Sequence, residues 1–270
     1  MNYERNQFPP SVVNLLLEEG QRWKHQGELK EALGSGIICI VGSARSAKTS
    51  LAYVFVDYVI QHTKRPVIFD SFPQKVIDEG FPSHWKGRVF NTKFQDLATV
   101  DEPAVWVLDD NALHYNSRDS LTAGSKLLAR SAGVLSHFGG GMTVIFTTQL
   151  LSGIDLSFLR FTTLAPVIRW VDADVISQER KEFKDMVQEG QYQLKLVSKD
   201  VRCRDYFYSS KDRCLCSSPF PDFLNKSINP IQADLLSRPM RYHTKEDRVA
   251  MVSGEIKKKG RPKKKVVEDE

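Results

Sequence analysis

The 270-residue chain contains no run of about 18 uninterrupted apolar residues, the length that a membrane-spanning helix requires. It has only four cysteines, too few for a disulfide framework in a chain of this size, so we expect reduced thiols. It also lacks an apolar stretch behind a basic amino-terminal start, which would have indicated a secretory signal. These absences predict a soluble, intracellular protein without a transmembrane segment.

Most of the chain also lacks an excess of charge of one sign. The formal net charge is +5, but the stretch "KKKGRPKKK" at 257–265 carries seven positive charges, which leaves the remainder slightly acidic. With 41% hydrophobic residues, the chain can bury the core of one α/β domain and still carry appendages. We predict a helical lead-in over 1–35, one domain over 36–240, and a charged, disordered tail over 241–270.

Five apolar runs predict the strands of a central sheet. They are "GIICIVG" (36–42), "RPVIFD" (65–70), "PAVWVLDD" (103–110), "MTVIFTTQ" (142–149) and "TLAPVIRWVD" (163–172). Apolar runs separated by helical patterns are typical of parallel strands that helices cover on both faces. The sequence therefore predicts a three-layer α/β sandwich with a mainly parallel sheet. The alternating segments "YQLKLVSKD" and "CRDYFYSSK" predict an antiparallel hairpin near 190–210 at the sheet edge.

A loop of small residues joins the first of these runs to an apolar helix. It supplies Gly42, Ser43, Ala44, Arg45, Ser46, Ala47, Lys48 and Thr49. This loop departs from the phosphate-binding pattern G-x-x-x-x-G-K-[ST] only at Ala47, where the pattern has glycine. Small side chains let backbone N–H groups and the helix N-terminus approach a phosphate. Lys48 is expected to reach the β- and γ-phosphates and Thr49 to hold Mg²⁺, unless this is an ordinary strand-to-helix loop.

The missing glycine has a defined physical meaning. It matters only if position 47 requires a positive φ, or if the Cβ of Ala47 would touch the phosphate. Alanine is the smallest possible departure from glycine, so the loop is still predicted to bind a nucleotide.

Two consecutive carboxylates follow the apolar run "AVWVL". In P-loop enzymes, a strand of this kind lies beside the loop, and the acid at its tip holds Mg²⁺. Asp109 is predicted to do this through water, and Asp110 to polarise the attacking water. Glutamate performs the second task more often in ATPases with an extra central strand. The alternative is a strand end at which two aspartates begin a turn.

A third polar strand end is formed by Thr147, Thr148 and Gln149. A polar side chain at this point can sense the γ-phosphate by hydrogen bonding and change partners when that group leaves. Gln149 is the predicted sensor. Open α/β sheets bind ligands at the carboxyl ends of their strands, which is where all three polar ends are expected.

The series "GSARSAKT", "VWVLDD", "LLARSAG" and "VIFTTQ" resembles the HerA/FtsK superfamily of P-loop ATPases over roughly residues 36–172. That superfamily includes bacterial DNA pumps and viral genome-packaging ATPases, with phage Zot-like proteins nearby. The resemblance implies a RecA-like sheet with an additional central strand, ATP and Mg²⁺ as cofactors, and double-stranded DNA as substrate. It also implies a ring of identical subunits, usually a hexamer, in which an arginine reaches the neighbour's nucleotide. Arg130 matches that placement best and Arg118 second.

Two functions remain open after this resemblance. The preferred one is an ATP-driven translocase of double-stranded DNA, acting in viral genome packaging. The alternative is a Zot-like assembly or morphogenesis factor that uses ATP as a switch without pumping DNA. A viral protein of either kind would be found in the host cytoplasm or in the virion, with a capsid vertex or a membrane component as a further candidate partner.

The basic stretch near the carboxyl end resembles an AT-hook, a short segment that lies extended in the minor groove of A·T-rich DNA. Its central residues are Lys259, Gly260, Arg261, Pro262 and Lys263. Proline favours the extended backbone, glycine permits close approach, and arginine suits the negative potential of a narrow groove. The alternatives are a localisation signal and a nonspecific tether for a polyanion.

Three cysteines lie close together in the sequence, at Cys203, Cys214 and Cys216. A structural zinc site usually offers two closely spaced pairs and four ligands, and this spacing fits that pattern poorly. Reduced thiols in an edge hairpin are the expected state, with a metal site as the alternative.

Overall fold

The computed structural model describes residues 3–4, 7–17, 22–25, 28–31, 36–70, 72–92, 104–109, 143–154, 164–218 and 220–237. Several predicted functional residues lie outside these ranges: Asp110, Arg118, Arg130 and the basic stretch at 257–265. Their predicted roles stay predictions.

Ten strands are present in the described residues. They are β1 (Arg22–His25), β2 (Glu28–Glu31), β3 (Gly36–Val41), β4 (Val67–Asp70), β5 (Val89–Thr92), β6 (Val105–Leu108), β7 (Thr143–Thr148), β8 (Leu164–Ile168), β9 (Tyr206–Ser209) and β10 (Cys214–Ser217). Eight of them form one sheet in the order β10-β9-β8-β3-β7-β6-β4-β5. The six strands from β8 to β5 are parallel, and β9 and β10 are antiparallel additions at one edge. The mixed, mainly parallel sheet with an antiparallel edge hairpin is thus confirmed.

Six α-helices accompany the strands in the same described ranges. They are α1 (Pro10–Leu16), α2 (Lys48–His62), α3 (Ala173–Gln178), α4 (Lys181–Lys195), α5 (Lys199–Asp205) and α6 (Asn229–Ser237). Short 3-10 turns span Ser83–Trp85 and Leu151–Gly153, and π-helical turns span Val76–Gly80 and Leu224–Ile228.

Alternate residues of β3 belong to two separate cores. Ile38 and Ile40 pack in the core that includes α1 and α2, whereas Ile37, Cys39 and Val41 pack in the core that includes residues of α3 and α4. Successive side chains of a strand point to opposite faces of the sheet, so both faces of β3 need an apolar cover. This explains why the run is apolar at every position and why all six residues are buried.

In the sheet, β7 lies between β3 and β6, and this order determines which strand ends lie next to one another. The strand carrying Asp109 is therefore not the hydrogen-bonded neighbour of β3, since β7 pairs with β3 on one side and β6 on the other. This additional strand is the one that the RecA-like prediction requires. The carboxyl ends of β3, β7 and β6 consequently lie side by side at the same end of the sheet.

A buried arginine joins α1 to the end of the sheet at which the parallel strands begin, opposite to their carboxyl ends. Arg65 is 2% exposed, and its guanidinium donates to the carbonyl oxygens of Leu15 and Leu16 at 2.9 and 3.2 Å. It also donates to the carbonyl oxygen of Ala104 and the hydroxyl of Thr143, both at 3.1 Å. These four bonds join α1 to the residues at which β6 and β7 begin.

Two predictions about secondary structure need correction. The segment predicted as the first strand of a hairpin near 190–210 begins inside α4, and the hairpin is β9 and β10 instead. Val187, Gln191 and Leu194 are buried on one side of α4, with the spacing of an amphipathic helix. This helical spacing begins before residue 192 and continues through the residues whose alternation had predicted a strand. The lead-in over 1–35 is not wholly helical, because β1 and β2 pair antiparallel within it.

No helix within the described ranges is long and apolar enough to cross a membrane.

Candidate nucleotide-binding site

The loop after β3 is held by the segment that follows β8. The backbone N–H of Ser43 donates to the carbonyl oxygen of Trp170 at 2.9 Å, and the Ser43 hydroxyl accepts from the N–H of Asp172 at 2.7 Å. Gly42 leaves no room for a larger residue, since a Cβ there would lie 2.3 Å from the Ser46 hydroxyl oxygen. The first glycine of the predicted pattern is therefore required by close packing.

Two residues of the loop have a left-handed backbone. Arg45 has a φ of 63° and Ala47 has a φ of 58°. Left-handed residues of this kind occur in the backbone nests that bind anions. Position 47 thus has the positive φ that would make the missing glycine matter, and alanine occupies it at a conformational cost.

Helix α2 begins directly after Ala47, so its N-terminus is aimed at the loop. The buried Lys48 ammonium donates to the carbonyl oxygen of Ser43 at 2.9 Å, across the mouth of the loop. The hydroxyl oxygen of Ser46, in a residue only 3% exposed, has no hydrogen-bond partner among the described residues. A lysine, a helix N-terminus and a buried hydroxyl without a partner suit a bound phosphate.

The polar ends of three elements meet beside this loop. The Thr49 hydroxyl lies 3.0 Å from both carboxylate oxygens of Asp109 and donates to them. The Thr147 hydroxyl donates to the same carboxylate at 2.7 Å. Thr49 and Asp109, sixty residues apart in the chain, are therefore in direct contact, as a shared Mg²⁺ site requires. Oxygen donors of this kind are the ligands that Mg²⁺ prefers, so the residues fit the predicted cation.

The three polar residues at the end of β7 have different surroundings. Thr147 contacts Asp109, whereas the Thr148 hydroxyl donates to the carbonyl oxygen of Leu150 at 2.9 Å. Gln149, the predicted sensor, is exposed immediately beyond the strand. Sequence reasoning named Thr147 but did not assign it a contact. The parallel register of β6 and β7 explains that contact, since Leu108 pairs with Phe146 and the next residues of both strands lie side by side.

A buried carboxylate fixes the turn that follows β7. Glu179 is 7% exposed, and it accepts the backbone N–H groups of Leu151 and Ser152 at 2.9 and 2.6 Å. Sequence patterns did not indicate this residue, because its partners lie almost thirty positions earlier in the chain. These two hydrogen bonds link the turn after β7, next to Asp109, with the junction of α3 and α4.

A second buried arginine lies behind the loop. Arg169 is 1% exposed and donates to the carbonyl oxygens of Arg204 and Tyr206, both at 2.8 Å. Burial lowers the pKa of its guanidinium to about 9, against an opposing effect of the Asp205 carboxylate. Its Cβ would lie 2.8 Å from a Cβ at position 42, so this side chain supports the start of the loop.

All four cysteines are free thiols, and Cys39 is buried. The Sγ atoms of Cys214 and Cys216 lie 3.6 Å apart on β10. Burial and the neighbouring Cys214 raise the pKa of the Cys216 thiol to about 12. Over the part of the chain that the structure describes, no group of three or more His, Cys, Asp or Glu side chains could hold a metal ion.

The additional strand, the loop on a helix N-terminus and the juxtaposed Thr49 and Asp109 define the fold of a P-loop NTPase. Solved structures that resemble this chain include the DNA-packaging ATPase B204 from Sulfolobus Turreted Icosahedral Virus. That likeness has 14% identity and a TM-score of 0.47, and it covers 68% of this chain and 97% of B204. No protein-family model matches the chain, and no curated protein matches it either.

Two further structures extend the comparison. The N-terminal domain of zonular occludens toxin from Neisseria meningitidis is 10% identical to this chain, with a TM-score of 0.41. The likeness covers 72% of this chain and 98% of that domain's chain. The cytoplasmic domain of EssC has 13% identity and a TM-score of 0.34, covering 57% of this chain and 36% of its own. These neighbours are P-loop ATPases of the FtsK/HerA type, the type that the sequence motifs resemble. At these identities the likeness concerns the fold alone.

Proposed function

We propose that this protein binds and hydrolyses ATP with Mg²⁺ and uses the energy to move double-stranded DNA, as a ring of identical subunits in viral genome packaging. The observation that carries the ATP-binding part is the contact of Thr49 and Thr147 with Asp109 beside the loop of Lys48. Structural loops between a strand and a helix have no need for a lysine, a threonine and a remote carboxylate at one point.

The loop residues have separate tasks in this proposal. Lys48 exchanges the carbonyl oxygen of Ser43 for the β- and γ-phosphate oxygens, and the helix N-terminus faces the same negative charge. Thr49 and, through water, Asp109 would hold Mg²⁺, which would neutralise charge on the phosphates when bound. Thr147 keeps the Asp109 carboxylate oriented toward Thr49.

Hydrolysis joins a water oxygen to the γ-phosphorus and breaks its bond to the bridging oxygen, so ADP and phosphate leave. In our proposal, Asp110 follows Asp109 at the strand tip, where it orients that water and accepts its proton. Gln149 senses whether the γ-phosphate is present, and Arg130 of a neighbouring subunit stabilises the negative charge that develops on the phosphoryl group. The need for an arginine from another subunit is the reason for the ring.

DNA binding is assigned to the carboxyl-terminal basic stretch. Its seven positive charges at 257–265 would contact phosphates, and Arg261 would enter the minor groove of A·T-rich duplexes. The stretch tethers the substrate and takes no part in the chemistry at the nucleotide.

The test is steady-state ATP hydrolysis with and without duplex DNA, together with binding to immobilised ATP. Lys48→Ala should abolish ATP binding, whereas Asp110→Asn should retain ATP with Mg²⁺ but lose turnover. Undiminished ATP binding by the Lys48→Ala protein would remove the P-loop assignment. Hydrolysis that duplex DNA does not stimulate would replace the motor with the alternative, a Zot-like assembly factor that uses ATP as a switch.

A further inference from the structure

The order of the strands places different elements on the two sides of the phosphate loop. On one side are β7 and β6, whose ends bring Thr147 and Asp109 to Thr49. On the other side is β8, which pairs with β3 along its whole length. A Mg²⁺ ion bridges the β- and γ-phosphates of a nucleotide, so these phosphates lie toward Asp109. The sugar and base are at the other end of the molecule from the γ-phosphate, and the segment after β8 borders the loop on the side away from Asp109.

An aromatic residue occupies that side. Trp170 lies two residues beyond the end of β8, and its carbonyl oxygen accepts the N–H of Ser43 in the loop. Its side chain is only half-buried. The guanidinium carbon of Arg202, on α5, lies 3.9 Å from the centroid of the Trp170 ring. A large aromatic ring next to a phosphate loop, backed by a cation, offers a flat surface on which a heterocycle can stack.

One hydrogen bond and the contact with Arg202 hold this ring, and further bonds hold the backbone that follows it. The indole N–H donates to the Asp172 carboxylate at 3.0 Å, and the Asp172 N–H donates to the Ser43 hydroxyl at 2.7 Å. Between them, the N–H of Val171 donates to the side-chain oxygen of Gln191 on α4 at 3.2 Å. The ring and the loop are therefore parts of one hydrogen-bonded unit, and a ligand that contacts both meets a surface already in place.

We propose that Trp170, supported by Arg202, is the nucleobase-binding surface of the site and that the base of a purine nucleoside triphosphate stacks on the indole. This inference depends on the proposed nucleotide binding. It adds the part of the ligand that the loop does not recognise, because the proposed function assigns Lys48 to the phosphates and Thr49 to Mg²⁺. The motifs of the loop and of the strand ends give no indication of Trp170, which is found only from the neighbouring strand.

The experiment separates recognition of the base from recognition of the phosphates. Binding of the non-hydrolysable analogue AMPPCP and of inorganic tripolyphosphate, both with Mg²⁺, is measured by calorimetry for the full-length protein and its variants. Stacking of a base on an aromatic ring typically changes affinity by about fivefold to a hundredfold. Trp170→Ala should weaken AMPPCP binding by about tenfold or more and leave tripolyphosphate binding unchanged. Trp170→Phe should retain most of the affinity for AMPPCP, because it keeps an aromatic face.

Two control variants make the result specific. Phe90→Ala removes an aromatic side chain that is 49% exposed on β5, at the opposite edge of the sheet, and should change neither affinity. Lys48→Ala should lose both ligands, since it acts on the phosphates. Unchanged AMPPCP affinity in Trp170→Ala would overturn the base-stacking role, and so would an equal loss for tripolyphosphate, which would indicate a distorted loop. If the unaltered protein bound neither ligand, the proposed function itself would be wrong.

Discussion

Replacing Ala47 by glycine should make this protein more stable, although the change removes a methyl group. Ala47 immediately precedes α2 and has a φ of 58°, a backbone conformation that glycine adopts without steric cost. Most alanine-to-glycine changes near a helix are destabilising. The expected sign is therefore the opposite of the usual one, and it follows from a single backbone angle.

The expected magnitude is a balance of two effects. The left-handed conformation costs a residue with a Cβ about 1–2 kcal/mol, which glycine does not incur. Glycine loses about 0.4–1 kcal/mol more than alanine on folding, because its unfolded chain is more flexible. The free energy of unfolding should therefore rise by about 0.5–1 kcal/mol, which corresponds to an increase in melting temperature of about 1–4 °C for a domain of this size.

The measurement is urea unfolding followed by circular dichroism, without nucleotide, with Ala44→Gly as the matched control. Ala44 belongs to the same loop and is exposed, but its φ is not positive, so this variant should lose about 0.4–1 kcal/mol. Equal destabilisation by both variants would refute the argument that Ala47 is strained. Ala47→Gly should also still bind immobilised ATP, because it restores the residue usual at this position.

Four further predictions address the loop, the ring and the tail. Gly42→Ala should abolish ATP binding, because a Cβ there would collide with Ser46; normal binding would show that the loop can relax. Arg130→Ala subunits should bind ATP without hydrolysing it, and mixing them with Lys48→Ala subunits should restore part of the activity; no recovery in proven mixed assemblies would argue against a shared site. Deleting 257–270 should weaken duplex binding and its salt dependence but leave DNA-independent hydrolysis unchanged. Within that tail, Arg261→Ala should reduce binding to A·T tracts selectively, and an equal loss on G·C-rich duplexes would leave only a nonspecific tether.

The sequence predicted the interior of the sheet better than its margins. Parallel strands buried on both faces leave continuous apolar runs, which is why all five predicted runs contain a strand. The edge strand Val89–Thr92 was missed, because it has four residues and its Phe90 is 49% exposed. The hairpin was misplaced since alternation over a few residues does not distinguish a strand from the last turns of an amphipathic helix.

At the site, the sequence identified residues but not their contacts. Lys48, Thr49 and Asp109 follow from local patterns, because the chemistry of a phosphate and a cation fixes the residue types. The backbone angle of Ala47 could not be predicted, since alanine does not signal a positive φ in the way that glycine does. The neighbours of the loop, such as Trp170 and Arg169, are brought there by the pairing of β3 with β8, which no local pattern encodes.

The bonds of Glu179 have a mechanical consequence. This carboxylate binds the backbone of Leu151 and Ser152, just past the strand end that contacts Asp109, and it stands between α3 and α4. Charge-assisted hydrogen bonds are short and about twice as strong as neutral ones, so they resist separation of the groups that they join. If the end of β7 shifts, the turn at 151–153 therefore pulls the start of α4 with it instead of sliding past. The Glu179 linkage would thereby transmit a displacement of the strand end beside Asp109 to helix α4.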